Sequence, residues 1–328
     1  MARDIVVIGA SAGGVEALRQ LVGDFPADWQ AAVFVVIHLP AGGESMLPVI
    51  LERSGPLPAR HPADGMKIVP GTVFVAPPNH HMILDDGHVR LTRGPRQNRH
   101  RPSVDTLFRS AACSYGPRVI GTVLTGALSD GSVGLRSIRA RGGVAIVQDP
   151  RDAKFPGMPQ SALSSAPVDH CVPLAELAPL LVRLSVEPVP ALVPEATKEL
   201  KMEVRHDRGD LSMDLDRMGT SSYFTCPECH GTLWEIRDGD LMRYRCRVGH
   251  GYSAEGLIEH MDDNLEDSLW EAARSMMENA HLKERVAARL IENDKQELGW
   301  KLQKQAAEIR VQAGAIRDLV SGDDHPKP

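Results

Sequence analysis

Residues Ile5 to Leu18 read IVVIGASAGGVEAL, and the change of period inside this stretch decides the fold class. Ile5, Val6, Val7 and Ile8 form a continuous β-branched run, the pattern of a parallel strand buried on both faces. Val15, Leu18 and Leu21 then recur at helical spacing. Strand, tight turn, helix is the expected order, with the turn at Gly9 to Gly14. Within it Gly9-Ala10-Ser11-Ala12-Gly13 fits G-x-S-x-G, the pattern that lifts a serine hydroxyl onto a sharp corner between strand and helix. A serine that merely caps the helix fits the same residues. Two phosphate-binding readings fail: Ser11 stands where a dinucleotide fingerprint needs its second glycine, and Gly14-Val15 supplies no Lys-Ser/Thr pair for a phosphate loop.

The rhythm continues outward. Ala31 to Ile37 (AAVFVVI) is a second buried strand ending at His38, followed by a loop from Leu39 to Gly43 and a helical pattern from Met46 to Leu51. Lys67 to Leu91 read as short strands, with Asp85-Asp86-Gly87 as a hairpin turn between HMIL and HVRL. Asn98, Arg99, His100, Arg101 and Pro102 read as a solvated loop, with an acidic partner for its clustered cations as the alternative, and Ser103 as the N-cap of a helix carrying Val104, Leu107, Phe108 and Ala111. Arg118 to Leu124 is a further buried strand running into Thr125-Gly126-Ala127-Leu128-Ser129-Asp130-Gly131, with a helix from Val133. Val144 to Val147, a helix at Gln160 to Ser164, Val168 to Val172 and a helix at Leu174 to Leu184 complete the alternation. The expected fold is α/β: a doubly wound, mostly parallel sheet with a β-hairpin insertion, then a small zinc-ribbon-like module and an α-helical tail. The expected boundaries are 1–186, a Pro-rich and polar linker at 187–221, a Cys/His module at 222–252 and helices at 253–321.

A chain of 328 residues has room for one sizeable core plus a smaller module. Its net charge of -6 weighs against a nucleic-acid partner, which selects for a basic excess. No charged leader precedes the first strand, and no apolar run approaches the ~20 residues that span a bilayer, so a cytoplasmic protein without membrane insertion is expected. Of five cysteines, Cys113 and Cys171 stand alone in apolar contexts and read as reduced core residues, while Cys226, Cys229 and Cys246 cluster.

Ser11, His38 and Asp130 each follow the carboxyl end of an expected strand, the edge at which open α/β sheets form their ligand crevices. Together they supply a nucleophile, a general base and an orienting carboxylate. Each alone has a plainer reading, a cap or a strand-end histidine. Their order differs from the Ser, Asp, His order of α/β-hydrolases. Oxyanion donors are expected from backbone N–H groups at Ala12, where the helix begins, and at Ala127.

These residues resemble the catalytic domain of CheB-type protein-glutamate methylesterases of bacterial chemotaxis. The likeness rests on six ordered blocks: IGASAGG, VIHLP, VFVAPPNHHM, NRHRPSVDTLF, VLTGALSDG and FPGMPQSAL. It implies hydrolysis of glutamate γ-methyl esters on chemoreceptor-like proteins, releasing methanol, with Ser11 as nucleophile, His38 as base, Asp130 as its orienter and no cofactor for catalysis. It implies deamidation of receptor glutamines as a companion activity. Two departures stand out. Such proteins usually begin with a receiver domain, so phosphorylation control is expected to be either absent or supplied by a separate receiver protein. Their loop before the aspartate is usually TGMG-like, where this sequence has Ala127 and Leu128. The competing reading is a non-catalytic scaffold that retains the esterase core and recognises a partner through its carboxyl-terminal module.

In that last third, Cys226-x-x-Cys229 followed by Cys246 and His250 has the ligand types and paired spacing of a Cys₃His structural zinc site, with His230 as the alternative fourth ligand. Strands at Leu233 to Ile236 and Leu241 to Arg245, joined at Asp238-Gly239, would make it ribbon-like. Reduced free thiols are the alternative, but a module this small does not fold on an apolar core alone, which favours the metal. From Ala254 to Val320 the pattern is helical. Leu265, Leu269, Met276 and Ala280 mark one face, and Leu302, Ile309, Ala313, Ile316 and Val320 come close to heptad spacing. An antiparallel hairpin and a coiled coil joining two chains into a homo-oligomer both fit.

Overall fold

The computed structural model describes residues 2–38, 45–189, 194–210, 215–238 and 241–321. The expected loop at Leu39 to Gly43, parts of the proline-rich stretch and of the Asp238-Gly239 turn, and the tail from Gly322 lie outside them. The chain divides into two compact units, Met1–Leu257 and Ile258–Pro328.

The main sheet of the first unit is built from β1 (Ile5–Ala10), β2 (Ala32–Ile37), β3 (Ala59–Arg60), β5 (Val73–Val75), β8 (Val119–Val123), β9 (Val144–Gln148) and β10 (His170–Val172). Its order is β10-β9-β8-β1-β2-β5-β3, and every pairing is parallel. All six residues of β1 and of β2 are buried. That is why their sequence reads as unbroken apolar runs: Val6 and Ile8 face one core, Ile5 and Val7 the other. The first core is closed by α1 (Gly14–Gly23), α2 (Leu47–Ser54) and α6 (Leu174–Val186), the second by α3 (Val104–Tyr115), α4 (Ser132–Ala140) and α5 (Gly157–Ser165). From β1 the chain builds toward β2 and β5 on one side and later toward β8 and β9 on the other. The switch point falls between β1 and β8, where ligand crevices form in such sheets. α3 and α4 cross closely there: a Cβ on Gly134 would run into Phe108 Cβ.

The hairpin is a separate antiparallel sheet, β4 (Met66–Lys67), β7 (His88–Thr92) and β6 (His81–Asp85), in the order β4-β7-β6. Its turn residues Asp86 and Gly87 both have positive φ, as the Asp-Gly signal predicts.

Beyond the sheet, the stretch read as linker holds a helix, α7 (Lys198–Asp207), capped by Thr197 accepting from Leu200 N. Its buried face is charged. Glu203 meets Arg243 at 2.6 Å, and Asp207 meets Arg109 at 2.8 Å and Arg245 at 3.7 Å. A buried carboxylate persists only when paired in this way. Apolar periodicity is blind to such a face, so the residues looked like polar connection. β11 (Thr220–Thr225), β12 (Thr232–Asp238), β13 (Leu241–Cys246) and β14 (Gly251–Ser253) follow as one antiparallel sheet in chain order. Cys171 is exposed rather than in the core, because β10 is the edge strand.

α8 (Ala254–Glu292) begins at the end of the first unit, and most of it, with α9 (Gln296–Ser321), makes up the second. These two form an antiparallel hairpin, pinned by Glu284 and Arg310 in a two-bond pair at 2.7 and 2.8 Å and by Lys283 donating to Gln305 at 3.0 Å. The seam differs from the expected one. Ala273, Ala280, Ala287, Ala306 and Ala313 are buried, whereas Leu265 is 60 % exposed. Small side chains let the two backbones approach closely. Among the described residues no helix is long and apolar enough to cross a membrane.

Candidate active site

Ser11 follows β1 and is set by its neighbours on the far side of the switch point. Its N–H donates to the Thr125 carbonyl at 3.0 Å, and Gly13, at φ +73°, turns the chain into α1. His38 follows β2, and its own N–H donates to the Ala10 carbonyl at 3.3 Å. The ring then lies between the other two residues: Nδ1 is 3.2 Å from Ser11 Oγ and Nε2 is 2.8 Å from Asp130 Oδ2. The His38 side chain is 6 % exposed and that of Asp130 is fully buried. Three residues that are 27 and 92 positions apart thus form one hydrogen-bonded line.

Asp130 is held by donors on every side. Oδ2 also accepts Val104 N at 2.7 Å, while Oδ1 accepts Ser103 Oγ at 2.9 Å, Asp105 N at 3.1 Å and Asn98 Nδ2 at 3.3 Å. The expectation that Ser103 caps α3 is therefore changed in form. Its hydroxyl points to Asp130, and Asp130 itself accepts the first N–H groups of the helix, where the helix dipole favours an anion. Burial alone would raise this carboxyl, but the bond from His38, the interaction with the His38 and His100 rings and the Val104 N–H hold it well below the usual carboxylate range.

Asp105 has the opposite fate. It accepts Gly134 N at 2.7 Å and Gly131 N at 3.0 Å, fixing the start of α4. Burial, and then the adjacent charge of Asp130, push its carboxyl up from 3.8 to about 7. A folded-state value above the unfolded one means the folded chain holds a proton through that window, so Asp105 stabilises at low pH and its contribution falls as pH rises toward 7. Buried His81 and half-buried His100, pushed down by lost hydration to about 4 and about 3, act in the reverse sense, so the test is a difference. Asp105→Asn is expected to be less stable than wild type at pH 5. The gap between them should narrow toward pH 8, by up to about 1.4 kcal/mol per pH unit. Urea midpoints at the two pH values measure it; a gap that is constant or widens contradicts the assignment.

The loop read as solvated belongs to this site. Asn98 is buried against both carboxylates, and the His100 ring stacks on His38 with centroids 3.5 Å apart. Arg101 donates to Asn79 and to the Gly94 carbonyl. The signal available was the block NRHRPSVDTLF itself rather than its charge. Among the described residues the N–H groups of Ala12 and Ala127 have no acceptor within the chain. Leu128 has φ +70°, a left-handed backbone that ordinarily selects glycine, so the leucine side chain is carried by a turn shaped for glycine.

Residues 6–181 match the family model described as CheB methylesterase, more than half of the chain. The chain belongs to the CheB methylesterase family. It is 37 % identical over 182 residues, 94 % of the relative's length, to a Leptospira interrogans protein provisionally named protein-glutamate methylesterase/protein-glutamine glutaminase. It is 38 % identical over 190 residues to protein-glutamate methylesterase/protein-glutamine glutaminase 2 of Methanosarcina mazei, of which it spans about half, 52 %. The crystal structure of the Thermotoga maritima CheB methylesterase catalytic domain superposes with a TM-score of 0.53 at 31 % identity, covering 55 % of this chain and 98 % of that one. The family match lies on the sheet domain, and the Cys/His sheet and helices follow it.

In that further sheet Cys226, Cys229, Cys246 and His250 bring their ligand atoms within 4.8 Å of one another. Cys229 Sγ is 3.5 Å from Cys246 Sγ, and His250 Nδ1 is 3.5 and 3.6 Å from the sulfurs of Cys246 and Cys226. Tetrahedral zinc with its usual bond lengths sets sulfur–sulfur separations of about 3.8 Å and sulfur–nitrogen separations of about 3.6 Å, so the donor set fits that ion. The other nitrogen of His250 faces Glu228 at 3.3 Å, the arrangement that fixes a ligating histidine. His230 is not in the cluster; its N–H bonds to the Cys226 carbonyl.

Proposed function

We propose that this CheB-family chain hydrolyses glutamate γ-methyl esters on chemoreceptor-like proteins, releasing methanol, and takes the matching glutamine side chains as a second substrate. The observation that carries the reading is the continuous line from Ser11 Oγ through His38 to Asp130 at the switch point of the sheet. A serine hydroxyl is a weak nucleophile until a base takes its proton. With its Nε2 proton committed to Asp130, His38 presents a lone pair at Nδ1, accepts the proton as Oγ attacks the ester carbonyl, and stores it beside a carboxylate. The oxyanion takes the N–H groups of Ala12 and Ala127. Collapse returns the proton to the departing methoxide, giving methanol and a glutamyl-Ser11 ester. Water enters by the same route, and a glutamate side chain leaves. A separate receiver protein is the proposed regulator, and adaptation of receptor signalling the outcome.

The test is direct. Receptor membranes carrying labelled methyl esters should release volatile methanol when mixed with the full-length protein, and labelled glutamine amide should appear as ammonia. Membranes that keep both labels overturn the proposed substrates.

The Cys/His cluster would hold one zinc ion in a structural role, supplying bonds that tie β11–β14 together and taking no part in the ester chemistry. Elemental analysis is expected to find one zinc per chain and none after Cys226→Ser, with the ribbon amides then exchanging freely. Metal-free protein purified without chelators would contradict the site.

A further inference from the structure

The family match ends at residue 181, yet the strand that follows His250 reaches the back of the catalytic carboxylate. β14 runs beside Gln97 and Asn98. The Gly251 carbonyl accepts Asn98 N at 2.8 Å, Ser253 N donates to Asn98 Oδ1 at 2.9 Å, and Gln97 Nε2 donates to the Gly249 carbonyl at 2.9 Å. The other end of the same amide faces the active site, Nδ2 donating to Asp105 Oδ2 at 3.1 Å and to Asp130 Oδ1 at 3.3 Å. Ser253 Oγ lies 2.7 Å from the hydroxyl of Ser129, the neighbour of Asp130. Arg245, next to Cys246, donates to Gln97 Oε1 at 3.2 Å. All these residues are buried. Two positions along the same loop, His100 lies flat on His38.

We propose that the Cys/His sheet braces the His38–Asp130 pair, and that Asn98 is the positioning residue through which it acts; this rests on the serine-hydrolase reading above. An amide is the side chain the place requires. One end must accept from a strand N–H while the other donates to two carboxylates. Aspartate would set a third carboxylate beside two, and leucine would orphan Ser253 N–H. Asn98 also sits at φ +47°, which asparagine tolerates better than most residues. Ordering of the 246–250 loop by its metal-binding side chains and ordering of the catalytic carboxylate are then parts of one equilibrium, and coupling of this kind works in both directions.

Full-length protein tests this with a fluorophosphonate, which phosphonylates an activated serine with loss of fluoride and needs no receptor. Wild type with zinc should label at Ser11. Asn98→Ala should label at least tenfold more slowly, zinc stripping should slow wild type comparably, and stripping should add little to Asn98→Ala. The N–H that His38 gives to Asp130 provides a second readout: its downfield proton NMR line should shift or broaden in the variant and in stripped wild type while exchange protection of β1 and β8 persists. If Asn98→Ala does not fold, Gln97→Ala, which removes the side-chain bonds to the Gly249 carbonyl and Arg245, and stripping are judged by the same two readouts. Rates and proton line unchanged in both the variant and the stripped protein overturn the brace alone. Wild type that fails to label at Ser11 overturns the hydrolase reading, and the brace falls with it.

Discussion

Ser11→Ala is expected to reduce methanol release from methylated receptor membranes by several orders of magnitude, on the order of 10⁶ in kcat, as loss of the nucleophile does in other triad enzymes. The size follows from the geometry. Without Oγ, His38 Nδ1 faces no hydroxyl, and Asp130 has no developing imidazolium to stabilise. What survives is the pair of N–H groups at Ala12 and Ala127 and the binding surface, which in such enzymes leave roughly 10³–10⁴-fold catalysis over water. The fold should be untouched. Ser11 is held by its backbone bond to Thr125, and alanine keeps that bond and fits the same corner. Equal urea midpoints with residual release on the order of 10⁶-fold below wild type, still above the uncatalysed level, are the expected pair of results. Release within tenfold of wild type would place the reaction elsewhere on the chain.

The elements that could be read from sequence are those whose burial is apolar. β1, β2, β8 and β9 announce themselves as largely apolar runs rich in β-branched residues because both faces lie in cores. Ser11, His38 and Asp130 were legible through position, each following such a run. α7 was not, because Glu203, His206 and Asp207 turn inward and are matched by arginines on other elements; charge pairing over long sequence separation leaves no period. Asn98 and His100 were hidden for a related reason. Their neighbours Arg99 and Arg101 make the loop look solvated, and only the tertiary approach of α3, the Asp130 loop and β14 gives the amide its partners. The hairpin seam did carry a local signal. Ala273, Ala280 and Ala287 are seven apart, as are Gly299, Ala306 and Ala313, and all six are buried. Leucine-weighted patterns pass over such a repeat because small residues bury little area.

Asp130→Asn is expected to lower kcat on the order of 10⁴-fold and to weaken the fold as well, because this carboxylate has two duties. Every group around it is a donor or, in Ser103, a hydroxyl that already donates. An asparagine must turn its NH₂ toward one side. Facing His38 and Val104, it orphans the Val104 N–H and drives the histidine proton to Nδ1, where the ring can no longer accept from Ser11. Facing α3 and Asn98, it meets Asp105 N–H and Asn98 Nδ2, which leaves two buried donors unpaired and the carbonyl as a weaker partner for His38. Either choice costs about 1–3 kcal/mol for each orphaned group. The substitution also removes the charge that helps raise the Asp105 carboxyl. Asp105 then releases its proton at lower pH, so the stability that wild type loses as pH climbs toward 7 should be lost less in the variant. Nitrogen-15 shifts of His38, methanol release, and urea midpoints at pH 5 and 8 read the three consequences separately. A variant that kept the Nε2-protonated ring and the wild-type rate would show that His38 takes its orientation from something other than Asp130, leaving the carboxylate as a helix cap alone.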